Sequence, residues 1–309
     1  MYIYVRRAPG HHGHQSGVLG ELGRAERLRS VKDSTRAPYR WICALDVHFP
    51  ARPDISAPVR RTGVLISPRH VLTAARNLTR LYAGKTIEQM LTGDRVEARM
   101  ITVTPGLDGS RSKKKRAPIG SVDLKPGEWW IPPQYRQSGD FGWDLAVLTL
   151  PRELPAFNGM TYGHWSDARY SPRTTIAAVA AESLAGSTLT LAGYPAGWCF
   201  NPQRPEDSVT GVNPSAQSET YGKGRPTQPE LSAKHRLMVH DVPTCVGMDG
   251  APMWINAGGL RLVAIQTGPE FRHLNPVVEE KLGTALPLRQ EIVDTLRQRI
   301  LLDRIRPTF

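Results

Sequence analysis

The residues with most chemical consequence are an arginine and two aspartates. Arg76 closes "LTAAR", Asp144 opens "DLAVLTL", and Asp249 lies in "DVPTCVGMDGAPMW". A guanidinium is planar, carries five donors and stays protonated at neutral pH, so it can serve two carboxylates at once. Set between Asp144 and Asp249, Arg76 would make a charge-assisted clamp, each charge offsetting the cost of burying the others. In the alternative, Arg76 swings into solvent and Asp249 bonds nearby backbone N–H groups. Two carboxylates sharing a proton could act as an acid–base pair. A cation beside them depresses both and keeps both ionised, which argues against that chemistry. His70, six residues before Arg76, is a candidate base, and Thr244 and Cys245 are candidate nucleophiles.

These residues need strands to hold them. "WICALDVHF", "GVLISP", "HVLTAA", "RVEARMITVTPG" and "DLAVLTL" (Asp144 to Leu150) read as strands of a first unit. "STLTLAGYP" (187–195), "RLMVHDV" (236–242), "APMWIN" (251–256) and "RLVAIQTG" (261–268) read as strands of a second. "LRQEIVDTLRQRILLDRI" (288–305) repeats apolar residues at helical spacing through Leu288, Ile292, Leu296, Ile300 and Leu301. "ELGRAERLRSV" (21–31) suggests a short helix within a polar, basic extension over residues 1–37. The expectation is an all-β protein: two packed six-stranded antiparallel β-barrels and a C-terminal α-helix. The units are 38–150, 151–287 and the helix 288–305.

Composition sets the outer limits. The chain has 309 residues and is 40% hydrophobic, with 26 prolines and 28 glycines. That is enough for a real core and favours short strands and turns over long helices. Its net charge of +12 favours acidic partners, anionic surfaces or nucleic acid. No zinc-finger or RNP-type pattern accompanies the charge, and the basic loop 110–118 lacks interleaved aromatics, so a solvated surface is the default. His11, His12 and His14 lie in a Gly-rich tail and read as solvated; no metal and no cofactor is expected. No apolar run is long enough to span a membrane. The first residues lack the apolar stretch of a signal peptide, which predicts a cytoplasmic chain or one exported by a non-Sec route. Of the three cysteines, Cys199 and Cys245 are the pair to expect in one bridge, with three free thiols as the alternative.

Taken in order, "LTAAR", "GWDLAVLTL" and "VGMDGAPMW" resemble the His, Asp and Ser segments of trypsin-like serine peptidases. The glutamyl-endopeptidase-like bacterial branch is more similar still. Gly193-Tyr194-Pro195 resembles its "GYP" before the nucleophile, and "VAIQTG" (263–268) its strand after it. The resemblance covers about residues 37–290. It implies a catalytic cleft between two barrels, with Asp144 as the buried carboxylate, Gly247 and Asp249 in an oxyanion-like turn, and Thr244, Gln266, Thr267 and Gly268 around a specificity pocket.

The resemblance breaks where the chemistry sits. The imidazole position is Arg76 and the hydroxyl position is Asp249, so the triad is degenerate. Ala251 stands where Gly or Ser is usual, and Gln266 where glutamate-specific members carry a histidine. A serine hydroxyl needs a base held in one tautomer by a carboxylate, and an arginine cannot be that base. The expectation is a catalytically inactive homologue, a pseudoprotease that binds a protein or peptide or serves a structural role. The alternatives are a hydrolase with non-standard residues and a basic nucleic-acid- or anion-binding protein.

Overall fold

β-Branched and aromatic residues bounded by Gly, Pro and polar turns build short antiparallel strands throughout the chain. The computed structural model describes residues 29–50, 57–81, 95–109, 117–159, 161–167, 174–196, 199–200, 217–226, 236–267 and 282–305. The first sheet consists of β1 (Ile42–His48), β2 (Val59–Leu65), β3 (His70–Thr73), β4 (Met100–Pro105), β5 (Val122–Leu124), β6 (Trp129–Trp130) and β7 (Ala146–Thr149). Its order is β5-β4-β1-β2-β3-β7-β6, a nearly closed barrel. The second sheet contains β8 (Thr188–Gly193), β9 (Ser218–Arg225), β10 (Met238–His240), β11 (Pro252–Asn256), β12 (Leu260–Gln266) and β13 (Gly283–Pro287). The order β9-β8-β11-β12-β13-β10 returns to β9, so these six strands close a barrel. A short helix α1 (Pro133–Ser138) precedes β7, and the terminal helix α2 spans Gln290–Ile305.

The fold is therefore the double barrel anticipated from the strand pattern, with the first sheet one strand larger than expected. Leu45, Val64, Leu72, Ile101 and Leu148 fill one core with no exposed surface. Leu189, Leu191, Met253 and Val263 belong to a second core inside the closed barrel. Trp254, Leu262 and Ile265 of β11 and β12 join the first cluster instead. Trp41, Trp165 and Trp254 tie the halves together, with ring centroids 5.9 Å and 5.6 Å apart along the series.

Two expectations need adjustment. Arg29–Ser30, within the stretch read as a helix, is a strand paired with Ser218 and Glu219 of β9. Backbone pairing at a sheet edge overrides a local helical pattern; residues 21–28 lie outside the described residues. In α2, Ile292 and Leu296 are buried, but Leu301 is 56% exposed. Its polar end is set instead by Asp303, which accepts from Thr149 Oγ1 at 2.8 Å and lies 3.1 Å from His70 Nε2. At the opposite end, Arg289 Nη2 donates to the Gly142 carbonyl at 2.8 Å.

Candidate functional site

The strands β3 and β7 pair antiparallel, with Thr73 opposite Ala146 and His70 opposite Thr149. Residues just beyond the Thr73–Ala146 end are thereby brought together. Arg76 sits in a single 3₁₀ turn, Ala75–Asn77, that follows β3. Ala74 and Ala75 are fully buried, and their small side chains let this turn lie against the core. Asp144 follows a second 3₁₀ turn, Phe141–Trp143, capped by the Asp140 side chain accepting from the Gly142 N–H at 2.8 Å.

The Asp144 carboxylate has no exposed surface. It accepts the Arg76 backbone N–H at 2.9 Å on Oδ1 and the Arg76 Nε–H on Oδ2. The Arg76 side chain is 10% exposed, and its guanidinium carbon lies 5.6 Å from the Phe141 ring centroid, within cation–π range. Burial is the largest influence on Asp144 and raises its carboxyl above the ordinary range. The Arg76 charge and its two donated bonds pull the other way, and the Asp249 charge pushes up again.

One half of the expected clamp is thus present. Asp249 is close enough for its charge to act on Asp144. Among the described residues, however, no ion pair or hydrogen bond joins its carboxylate to Arg76. The reason is that backbone bonds place Asp249: its carbonyl accepts from Asn77 Nδ2 at 2.7 Å and from the Thr62 N–H at 3.3 Å. The turn around it needs glycine at both ends, where φ is +95° at Gly247 and +83° at Gly250.

The pocket residues fall into separate roles. Gln266 is almost fully buried, and its Oε1 lies 2.9 Å from His240 Nε2. The Val242 N–H donates to His240 Nδ1 at 3.2 Å, so the neutral ring carries its proton on Nε2 and donates to Gln266. Burial lowers the His240 pKa to about 4. The Thr267 hydroxyl donates to the Thr284 carbonyl at 3.3 Å. Thr244 pairs with Phe200 on short strands. Gly268 lies outside the described residues, as do His11, His12 and His14.

The other candidate groups are engaged elsewhere. Cys245 is disulfide-bonded and therefore not a nucleophile. It stands directly opposite Cys199 on paired strands, while Cys43 is free and buried. His70 lies at the far end of β3 from Arg76, with Nδ1 2.5 Å from Ser67 Oγ and Nε2 on Asp303. It is 3% exposed, and burial lowers its pKa. Among the described residues, no group of three or more His, Cys, Asp or Glu side chains could hold a metal ion. No helix there is long and apolar enough to cross a membrane. Sequence reading missed Thr62, Thr73, Asn77 and His240; Asn77 alone carried a signal, by standing next to Arg76.

No protein-family model and no curated protein matches the chain. Solved structures do match its fold. A Glu endopeptidase in complex with MPD aligns over 88% of this chain and 96% of its own, at 18% identity and a TM-score of 0.56. The protease Anisep from Arthrobacter nicotinovorans aligns over 87% and 96%, at 13% identity and a TM-score of 0.51. The scabies mite inactivated protease paralogue S-I1 aligns over 85% and 95%, at 15% identity and a TM-score of 0.50. At these identities the likeness establishes the fold: the chain has the double β-barrel architecture of trypsin-like serine proteases.

Proposed function

We propose that the chain is a non-cleaving protein of the trypsin-like fold, which uses the cleft between its barrels to bind a protein or peptide or serves a structural role. The observation that carries this reading is the Arg76–Asp144 pair. Asp144 spends both oxygens on Arg76, leaving it committed to a permanent cation where the resemblance expects a base. General-base catalysis requires a group that can lose and regain a proton near neutral pH, and a guanidinium cannot. Asp249 has no hydroxyl to activate. His70 does reach a hydroxyl, that of Ser67, but both are buried away from the cleft. Losing base and nucleophile together costs roughly 10⁶ in rate in a serine protease.

A fluorophosphonate probe tests it. The wild-type chain is expected to stay unlabelled at a concentration that labels an active serine protease fully. Covalent labelling of the wild type at a cleft residue would overturn the proposal.

A further inference from the structure

The turn from Gly247 to Gly250 keeps a defined shape although neither triad partner that would use it is present, and the side chains that hold it come from the other barrel. Asn77 Nδ2 donates to the Asp249 carbonyl at 2.7 Å and to Thr73 Oγ1 at 2.8 Å. Thr73 Oγ1 in turn donates to the Thr62 carbonyl at 2.7 Å. The Thr62 hydroxyl donates to the Gly247 carbonyl at 2.9 Å and accepts the Tyr194 N–H at 2.9 Å. Carbonyls at both Gly247 and Asp249 are therefore fastened by short polar residues of β2, β3 and the Ala75–Asn77 turn.

Two further facts mark this as a built feature. Asn77 is 1% exposed, and its Oδ1 is buried with no hydrogen-bond partner. An unmade bond there is costly, and the bonds the amide does make both come from its N–H donors. A Cβ added at Gly250 would run into Thr73 Oγ1, the Thr62 carbonyl oxygen and Asn77 Nδ2, so the turn lies flush against the three residues.

We infer that Asn77 and Thr62 are positioning residues that strap the Gly247–Gly250 turn to the first barrel and couple its order to the docking of the two barrels. The strap rests on the proposed function only for what the turn serves, which is to present ordered backbone to a bound polypeptide. Nothing in it needs the imidazole or the hydroxyl, which explains how the turn survives their replacement. Opening the barrel interface would release the turn before it disturbs either core.

Amide hydrogen exchange on the ligand-free chain reads this directly. Met248 N–H donates to the Cys245 carbonyl, Gly250 N–H to Gln266, and Ala251 N–H to Met248. In Asn77→Ala these three amides should exchange at least tenfold faster, while those of β8 keep wild-type rates. Thr62→Val, which keeps the side-chain shape but loses the hydroxyl, should do the same; Thr62→Ser, which keeps the hydroxyl, should restore protection. Unchanged exchange at the turn, equal acceleration in β8, or a Thr62→Ser variant as fast as Thr62→Val would each overturn the strap. If Asn77→Ala does not fold, the Thr62 pair alone decides. The readout involves no ligand and no catalysis, so failure of the strap and failure of the non-cleaving reading are separate results.

Discussion

The two ends of the β3–β7 strand pair make an instructive contrast. At one end, Arg76 and Asp144 meet in a largely buried pair. At the other, Ser67, His70 and Asp303 form a hydrogen-bonded series of hydroxyl, imidazole and carboxylate. Residue types alone would assign catalysis to the second end. Yet Ser67 and His70 are only 4% and 3% exposed, and the carboxylate belongs to α2, which covers them. At the Arg76 end, a guanidinium stands at the position that the sequence resemblance gives to a base, against a carboxylate with no exposed surface. The buried series then acts as a fastener for α2, and the Arg76–Asp144 pair as a neutralised core contact.

The largest expected effect is at Arg76. Arg76→Ala leaves Asp144 buried without its cation, and removing one partner of a buried pair costs about 3–5 kcal/mol. Burial already raises the Asp144 carboxyl. A carboxyl raised in the folded state contributes a penalty that grows as pH rises through its folded value and fades on acidification. Urea unfolding at pH 7 and pH 5 should therefore show a larger loss at pH 7. Equal losses at both would mean that the pair is not the main contact there.

The second effect concerns His240, an imidazole with no exposed surface. Its pKa falls from the ordinary 6.5 to about 4. Between those values the unfolded chain binds a proton that the folded chain refuses, so stability drops as pH falls through that window. The full loss is on the order of 3 kcal/mol. Wild type minus His240→Asn, measured as urea midpoints from pH 7.5 to 4, should show this slope below pH 6.5 and a constant difference above it. A flat difference throughout would show that His240 is not held neutral.

The smallest effect is at the fastener. Asp303→Ala leaves His70 Nε2 and the Thr149 hydroxyl without their acceptor, at a cost of about 1–3 kcal/mol. Calorimetry should show a lower melting temperature, with the Arg76 region unaltered in hydrogen exchange. Faster exchange at Ala75–Asn77 would instead mean that the two ends are coupled.

Much of this was legible in the chain. Alternating apolar strands and the order of three motif segments foretell two barrels, and the antiparallel pairing of β3 with β7 is what brings Arg76 to Asp144. The second half of the clamp was not legible, because the direction of Asp249 is set by bonds to its carbonyl, which every residue possesses. Thr62 and Asn77 bond to carbonyls 185 and 172 positions away, which no local pattern marks. His70 and Asp303 are separated by 233 positions, and only the docking of α2 joins them. Arg29–Ser30 reads locally as helix and becomes strand because β9 offers it an edge.

The most direct measurement is the intact mass of the wild type and of the double variant Arg76→His, Asp249→Ser after exposure to a fluorophosphonate. No added mass is expected on the wild type, and one covalent adduct, at position 249, is expected on the variant, whose turn is still strapped in place. An adduct on the wild type at any cleft residue would contradict the non-cleaving reading.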